Sequence, residues 1–429
     1  MGKSKHKRKQ HHQAAGQTQP EPTSPSRPTA DTSFYAKAIG LTCLLVALLT
    51  IGIISYTQGL RDDTPLNFAD EPVLASMWNT HKEKYWEKDT GRTLDNQQNN
   101  LTTSEGQSYT MLRAVWMDDR PTFDKAWAWT KQQLQHQDDK LFAWRWGQKP
   151  DGSYGILTEQ GGQNAAADAD IDIALALLMA ENKWQSSGYR QEALPIIEGI
   201  WNEEVMEIAG RLYLLGNDLE KTADKPTVIV NPSYYAPYAF RAFALVDSEH
   251  DWSRLVGDGY ALLTAASSQP LGPGRSANLP PDWVLVNKTT GKLSAPTQPG
   301  LTTNFSYDAM RTVWRVALDY EWHRDRRAKT LISRFSHLAS VYQRDDAIYS
   351  TYSHDGSVKI RDEVPAMYGA TLGYFAIKHP ELAESIYTVK LRRPYTEGER
   401  TVSYYSDSWA WFGMALVNNL LPNLTGTGK

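Results

Sequence analysis

The chain has 429 residues and a formal net charge of −4, and it is 41% hydrophobic and 11% aromatic. The near-neutral charge argues against a nucleic-acid-binding protein, which would carry a clustered basic surface. The single cysteine, Cys43, excludes an intramolecular disulfide.

Residues 1–37 are basic and rich in Gln, Pro, Ser and Thr. Such a segment buries too little apolar surface to offset its chain entropy, and it reads as a disordered cytoplasmic tail. His6, His11 and His12 belong to this tail and mark no metal site. The run AIGLTCLLVALLTIGIISY, Ala38 to Tyr56, follows without a charge. At about 1.5 Å per residue it nearly spans a hydrocarbon core of roughly 30 Å. Lys3, Lys5, Lys7, Arg8, Lys9, Arg27 and Lys37 all precede it, which keeps the N-terminus in the cytoplasm. A cleaved signal peptide would be shorter and followed by a small-x-small site, which Ser55-Tyr56-Thr57-Gln58 does not supply. The expectation is a transmembrane signal-anchor over 38–57, a linker over 58–70, and everything beyond outside the cytoplasm, in the periplasm or extracellular space.

From about residue 71 to 422 the apolar periodicity is helical, before a short tail over 423–429. The pattern predicts helices at 71–84, 105–118, 121–136, 168–183, 187–203, 233–246, 251–267, 307–322, 327–343, 363–377, 380–389 and 404–420. Paired helices in this number predict an all-α domain, an (α/α)6 barrel with six inner helices ringed by six outer ones. Short strand excursions are predicted at 211–215 and 226–230, and a hairpin at 283–293, shaping the mouth of a cleft.

Five motifs carry the candidate chemistry. In AAADADIDIALALLMAENKW, Asp168, Asp170 and Asp172 alternate at the start of an apolar helix. One such aspartate suffices as a cap, and three like charges repel unless something pairs with them. In SEGQSYTM, Glu105 stands beside a serine cap near a helix N-terminus, where the macrodipole favours its ionised form. Taken alone it is an ordinary first-turn glutamate. In NFSYDAMRTVWR, Arg311 lies one turn after Asp308, which keeps the carboxylate ionised or simply makes a local ion pair. NPSYYAP brings Tyr234 to the lip of a helix, and FAWRWG offers Trp144 or Trp146 as a sugar-stacking platform, with core packing an equal reading. There is no G-x-S-x-G elbow, Walker loop or dinucleotide fingerprint, and nothing calls for a cofactor or a metal.

Together these motifs resemble glycoside hydrolase family 8, in the family's order, over residues about 70 to 420. The likeness is greatest to the endoglucanases that accompany bacterial cellulose synthesis. Ala166-Ala167-Asp168-Ala169-Asp170 matches the signature except that Ala167 replaces a hydroxyl residue. Ser104-Glu105-Gly106 and Tyr109 match the acid motif, with Thr110 in place of glycine adding bulk beside the acid. The resemblance implies an (α/α)6 barrel and inverting hydrolysis of β-1,4-linked glycans, Glu105 the general acid and Asp308 the general base. Tyr234 would hold the attacking water and Arg311 would fix Asp308. Asp168 would grip the sugar beside Glu105 and help keep that acid protonated. Asp170 and Asp172 would cap the helix or satisfy neighbours. Tyr109, Trp144 and Trp146 would contact substrate. Inversion implies carboxyls roughly 6.5–9.5 Å apart. The expected partners are a β-1,4-linked polysaccharide, the membrane through the N-terminal helix, and a polysaccharide synthase complex. The same chemistry on chitosan or xylan is the nearest alternative. A non-catalytic glycan-binding subunit is the third reading, which the intact Glu105 and Asp308 oppose.

Overall fold

The computed structural model describes residues 66–398 and 402–426. The tail and signal-anchor expectations, and the first part of the linker, lie outside the described residues. Among the described residues, no helix is long and apolar enough to cross a membrane.

Thirteen helices longer than one turn are used below: α1 (Glu71–Tyr85), α2 (Ser104–Trp116), α3 (Arg120–Gln133), α4 (Ala167–Trp184), α5 (Ser187–Gly199), α6 (Pro237–Ala244), α7 (Trp252–Ser268), α8 (Met310–His323), α9 (Arg326–Ile332), α10 (Ser336–Asp345), α11 (Pro365–Lys378), α12 (Pro380–Ser385) and α13 (Tyr404–Val417). Packing sorts twelve of them, all but α10, into two rings. α2 packs on α4, α4 on α6, α6 on α8, α8 on α11, α11 on α13, and α13 returns to α2, which closes an inner ring of six. Each inner helix has an outer partner: α3 on α2, α5 on α4, α7 on α6, α9 on α8, α12 on α11 and α1 on α13. Inner and outer helices alternate along the chain, so the inner six run in one sense. This is the (α/α)6 barrel.

Sequence accounts for the layering. Every residue of α4 from Ala167 to Ala180 is buried, as a helix covered on all sides requires. The closest inner packing is made by glycines. A Cβ on Gly413 of α13 would stand 2.1 Å from the Gly369 carbonyl oxygen of α11. Outer helices are amphipathic: α3 buries Thr122, Phe123, Ala126, Trp127, Trp129 and Thr130 and turns its other residues toward solvent.

Several helices differ from the sequence expectation for local reasons. The helix expected over 233–246 is a one-turn 3₁₀ segment, Pro232–Tyr234, followed by α6, because Pro237 cannot continue a helix and instead starts one. The span 327–343 breaks into α9 and α10 around Phe335. The span 187–203 leaves the α-helix at Gly199 and passes through a π-turn over Ile200–Glu204 into a strand. Thr103, not Ser104, caps α2, its hydroxyl accepting from Gly106 N–H at 3.0 Å.

The strand excursions gather where inner helices begin. Thr102–Thr103 pairs with Arg145–Gln148, which pairs with Tyr154–Ile156. Thr227–Val230 pairs with Val284–Asn287, which pairs with Leu293–Ser294. The first sheet delivers the chain to Glu105, and the second delivers it to Tyr234.

Candidate active site

Site residues stand at or just before the N-terminal ends of inner helices. Glu105 is the second residue of α2, Asp168 the second of α4, Tyr404 the first of α13, and Asp308 lies two residues before α8. One guanidinium joins three of these elements. Arg311 Nη1 donates to Glu105 Oε2 at 2.6 Å and to Asp168 Oδ2 at 2.7 Å, and Nη2 donates to Asp308 Oδ1 at 2.5 Å. Its Nε donates to Ser233 Oγ at 3.1 Å and to the Asp308 carbonyl at 3.3 Å. Arg311 is 1% exposed, so each of these bonds is screened little by solvent. Glu105 and Asp308 therefore meet opposite ends of one fork, while Asp168 lies behind Glu105.

Charge balance sets the protonation. Three carboxylates around one cation leave an excess of negative charge in a poorly solvated place. Burial pushes Glu105 up to about 7, Arg311 opposes this, and Asp168 and Asp308 reinforce it. Burial raises Asp168 as well, against the pull of Arg311 and Arg315. The positive ends of the inner helices favour the ionised forms, and at Glu105 burial and like charge outweigh them. Tyr404 donates to Glu105 Oε1 at 3.3 Å. Asp308 is more open, with its side chain 34% exposed, and Trp283 Nε1 donates to its Oδ2 at 3.0 Å.

Tyr234 lies against this cluster. Its ring stands against the Arg311 guanidinium, 5.2 Å away, and edge-on to Trp283 at 5.7 Å. A cleft of about 720 Å³ that Glu105 opens onto is also lined by Trp144, Tyr307, Tyr404 and Tyr405, and by Asp95 and Glu363. Tyr307 is 43% exposed, a flat apolar face offered to the cleft.

The sequence-derived candidates do not all gather there. Trp146 is stacked on Tyr154 and edge-on to Trp129, with Arg92 over its face, and does not line this cleft. Trp144 does, because it sits on a bend just before the strand and escapes the alternation that fixes Trp146. Tyr109 is 2% exposed and packs edge-on against Trp409 and Phe412, so it supports Glu105 from below and does not line this cleft. Thr110 turns away from the cleft: its hydroxyl bonds Thr93 Oγ1 at 2.7 Å and His81 Nε2 at 3.3 Å. Its bulk is therefore absorbed in the interior.

Of the two roles expected of Asp170 and Asp172, capping the helix or satisfying neighbours, the structure shows the second. α4 begins at Ala167, its N-cap is Ala166, and no side chain caps it. Asp172 instead makes a two-pronged pair with buried Arg315, at 2.8 and 2.7 Å, and Asp170 accepts from Phe142 N–H at 2.9 Å. His136, Asp139 and Asp218 cluster beside Asp170. His136 Nδ1 faces Asp139 Oδ1 at 3.0 Å and Nε2 faces the Gln163 carbonyl at 2.8 Å. Both partners only accept, so the ring donates from both nitrogens and has no lone pair for a metal. Burial opposes that charge, and the bond to Asp139 restores it, raising His136 above its usual value.

Sequence reasoning missed Asp282, Trp283, Ser233 and Tyr404. Pro280-Pro281-Asp282-Trp283 carried the only available signal, a rigid turn with a carboxylate before a strand.

Comparison with known proteins agrees with this architecture. The profile of the family described as Glycosyl hydrolases family 8 matches residues 65–418. A probable endoglucanase of Novacetimonas hansenii is 34% identical over 273 residues, covering 63% of this chain and 71% of that protein. Endoglucanase A of Acetivibrio thermocellus is 31% identical over 263 residues, 60% of this chain, and the match spans about half (49%) of that longer protein. Among solved structures, an endo-1,4-D-glucanase from Vibrio fischeri ES114 superposes with a TM-score of 0.68 at 26% identity, covering 79% of this chain and 94% of that one. The endo-β-1,4-glucanase CMCax from Acetobacter xylinum gives 0.63 at 26% identity, covering 81% and 98%.

Proposed function

The chain belongs to glycosyl hydrolases family 8, and from that premise we propose that it is an inverting endo-β-1,4-glucanase acting on cellulose-like chains outside the cytoplasm. The observation that carries the reading is the shared guanidinium: Glu105, Asp168 and Asp308 meet on Arg311, and Glu105 lines an aromatic cleft. Glu105, held protonated near neutrality, is the general acid that protonates the departing glycosidic oxygen. Asp308, more exposed and held by Arg311 and Trp283, is the base that takes a proton from water. Tyr234 and Asp168 complete the cluster on which the sugar at the cleavage point is gripped.

Neutral glucan suits the cleft better than chitosan. An amino sugar would call for free carboxylates along the walls, yet the two at the edges are engaged. Asp95 accepts from Gln97 N–H at 3.0 Å and Gln98 Nε2 at 2.6 Å, and Glu363 pairs with Lys390 at 3.0 Å. The charge-free run Ala38–Tyr56, preceded by basic residues, supports anchoring in the membrane with the catalytic domain outside, where a glucan made at that membrane would be trimmed. Its polysaccharide partner there would be the product of a synthase complex.

Reducing-end release from carboxymethyl cellulose, chitosan and xylan tests the reading. Activity is expected on carboxymethyl cellulose, reduced at least about a hundredfold in Glu105→Gln and in Asp308→Asn. NMR of fresh products should show the α-anomer. Retained β-anomer would refute inversion, and full activity in either variant would remove that residue from the reaction.

A further inference from the structure

We infer that Trp283 and Asp282 are positioning residues for Asp308: the Trp283 indole N–H fixes one carboxylate oxygen, and Asp282 clasps the turn that carries it. The inference rests on reading Asp308 as the base.

Asp308 occupies a turn, not a helix, and α8 starts behind it with Ala309 as an N-cap that has no side-chain acceptor. Backbone carbonyls take the N–H groups of Met310, Arg311 and Thr312, while those of Ser306 and Ala309, in the turn before them, need other partners. Asp282, from a distant segment and 4% exposed, supplies them. Its Oδ1 accepts from Ala309 N–H at 2.9 Å and Ser306 N–H at 3.2 Å, and its Oδ2 accepts from Ser306 Oγ at 2.6 Å and Thr302 Oγ1 at 3.2 Å. Ser306 and Ala309 bracket Asp308, so one buried carboxylate fixes the backbone on both sides of the base. Asp282 and Trp283 are themselves locked, their N–H groups donating to the Asn304 and Thr302 carbonyls at 2.7 and 3.0 Å.

Trp283 then sets the carboxylate itself. Arg311 holds Asp308 Oδ1 but also serves Glu105 and Asp168, so it cannot specify the rotation of Asp308 alone. Trp283 Nε1 bonds only Asp308 Oδ2, at 3.0 Å. The indole is held edge-on by Tyr234, and Gly216 leaves room for it: a Cβ there would lie 3.2 Å from Trp283 Cζ3. Val284 follows directly as the first residue of a paired strand, so the ring is anchored to a sheet. With both oxygens occupied from fixed directions, the remaining lone pairs are aimed at one place for water. The titratable and charged groups facing Asp308 are Glu105, Asp168, Asp282, Tyr234, Arg311 and Tyr405. Burial first, then the charge of Asp308, pushes Asp282 up to about 7, opposed by its four donors.

The test uses the full-length chain and cellopentaose, with kcat and KM measured separately. Trp283→Phe keeps the ring and removes one donor to the base. We expect kcat to fall about tenfold with KM within about twofold. A merely packing role would leave kcat unchanged or move it together with KM. Asp282→Asn should lower kcat in the same way, and if it does not fold, Ser306→Ala is read in its stead. Asp308→Asn separates the two readings. If it retains activity, Asp308 is not the base. If it is inactive while Trp283→Phe keeps wild-type kcat, the positioning inference alone is overturned. Wild-type kcat in the Asp282 or Ser306 variant overturns the clasp.

Discussion

Arg311 faces more charge than it can neutralise. Three carboxylates bond it directly, and a fourth, Asp172, lies behind Asp168 on Arg315. A proton on one of the three is the inexpensive way to relieve this, and on Glu105 loss of solvation and the charges of Asp168 and Asp308 together outweigh the pull of Arg311. The reaction needs Glu105 protonated and Asp308 ionised, so the basic limb of kcat/KM should fall near pH 7, where Glu105 titrates. Asp168→Asn removes one repelling charge. Glu105 then ionises more readily, and the basic limb moves to lower pH by about one unit. A pH–rate profile of the variant checks this. An unmoved limb would mean that burial alone holds the proton.

At the scale of the element, α4 explains why its aspartates alternate. Successive helical residues turn by about 100°, so Asp168 and Asp172 share a face and Asp170 points nearly opposite. Arg311 and Arg315 on α8 share the same four-residue spacing. The result is a two-rung ladder between inner helices, Asp168 with Arg311 and Asp172 with Arg315. Asp170 faces Glu204 on the other side, both fully buried. Burial first, and then the neighbouring carboxyl, pushes Glu204 well above the usual carboxylate range. Its protonated form therefore stabilises the fold fully below the unfolded value of about 4.3, and the contribution is lost as pH rises through the raised one. Glu204→Gln stays neutral throughout. Its melting temperature relative to wild type should rise steadily between pH 5 and pH 8, and a constant difference across that range would contradict the assignment. The close approach of α11 and α13 gives a second expectation. Gly413→Ala places a Cβ 2.1 Å from the Gly369 carbonyl oxygen and should destabilise the barrel by about 3 kcal/mol or more, read as a lower midpoint in denaturant melts.

At the scale of the whole molecule, six inner helices running in one sense bring six N-termini to one mouth, and the short sheets deliver the chain there. Every inner helix contributes at that end: Glu105, Asp168, Tyr234, Asp308, Glu363 and Tyr404 stand at or just before the six starts. Much of this was legible in the sequence. Twelve apolar periodicities separated by turn residues specify paired helices, because a helix must bury its stripe against another. The aspartates around Asp168 stood out because three like charges at the edge of an apolar helix need partners, whereas Glu105, Asp308 and Arg311 stood out only through motifs that resemble the family's. What the sequence could not supply was which partners. The i,i+4 spacing of Asp168 and Asp172 and that of Arg311 and Arg315 were visible separately, yet their pairing lies across 143 residues of chain. Trp144 and Trp146 looked equivalent until a bend placed one in the cleft and a strand turned the other away. Asp282 clasps a turn it does not belong to, and Thr110 meets a histidine 29 residues earlier. Local pattern determines which segments are helices and which faces are buried, since those depend on neighbours along the chain. Only ring closure decides which carboxylates share one guanidinium and how deeply they are buried, and that burial with the neighbouring charges, rather than any single motif, raises the acid.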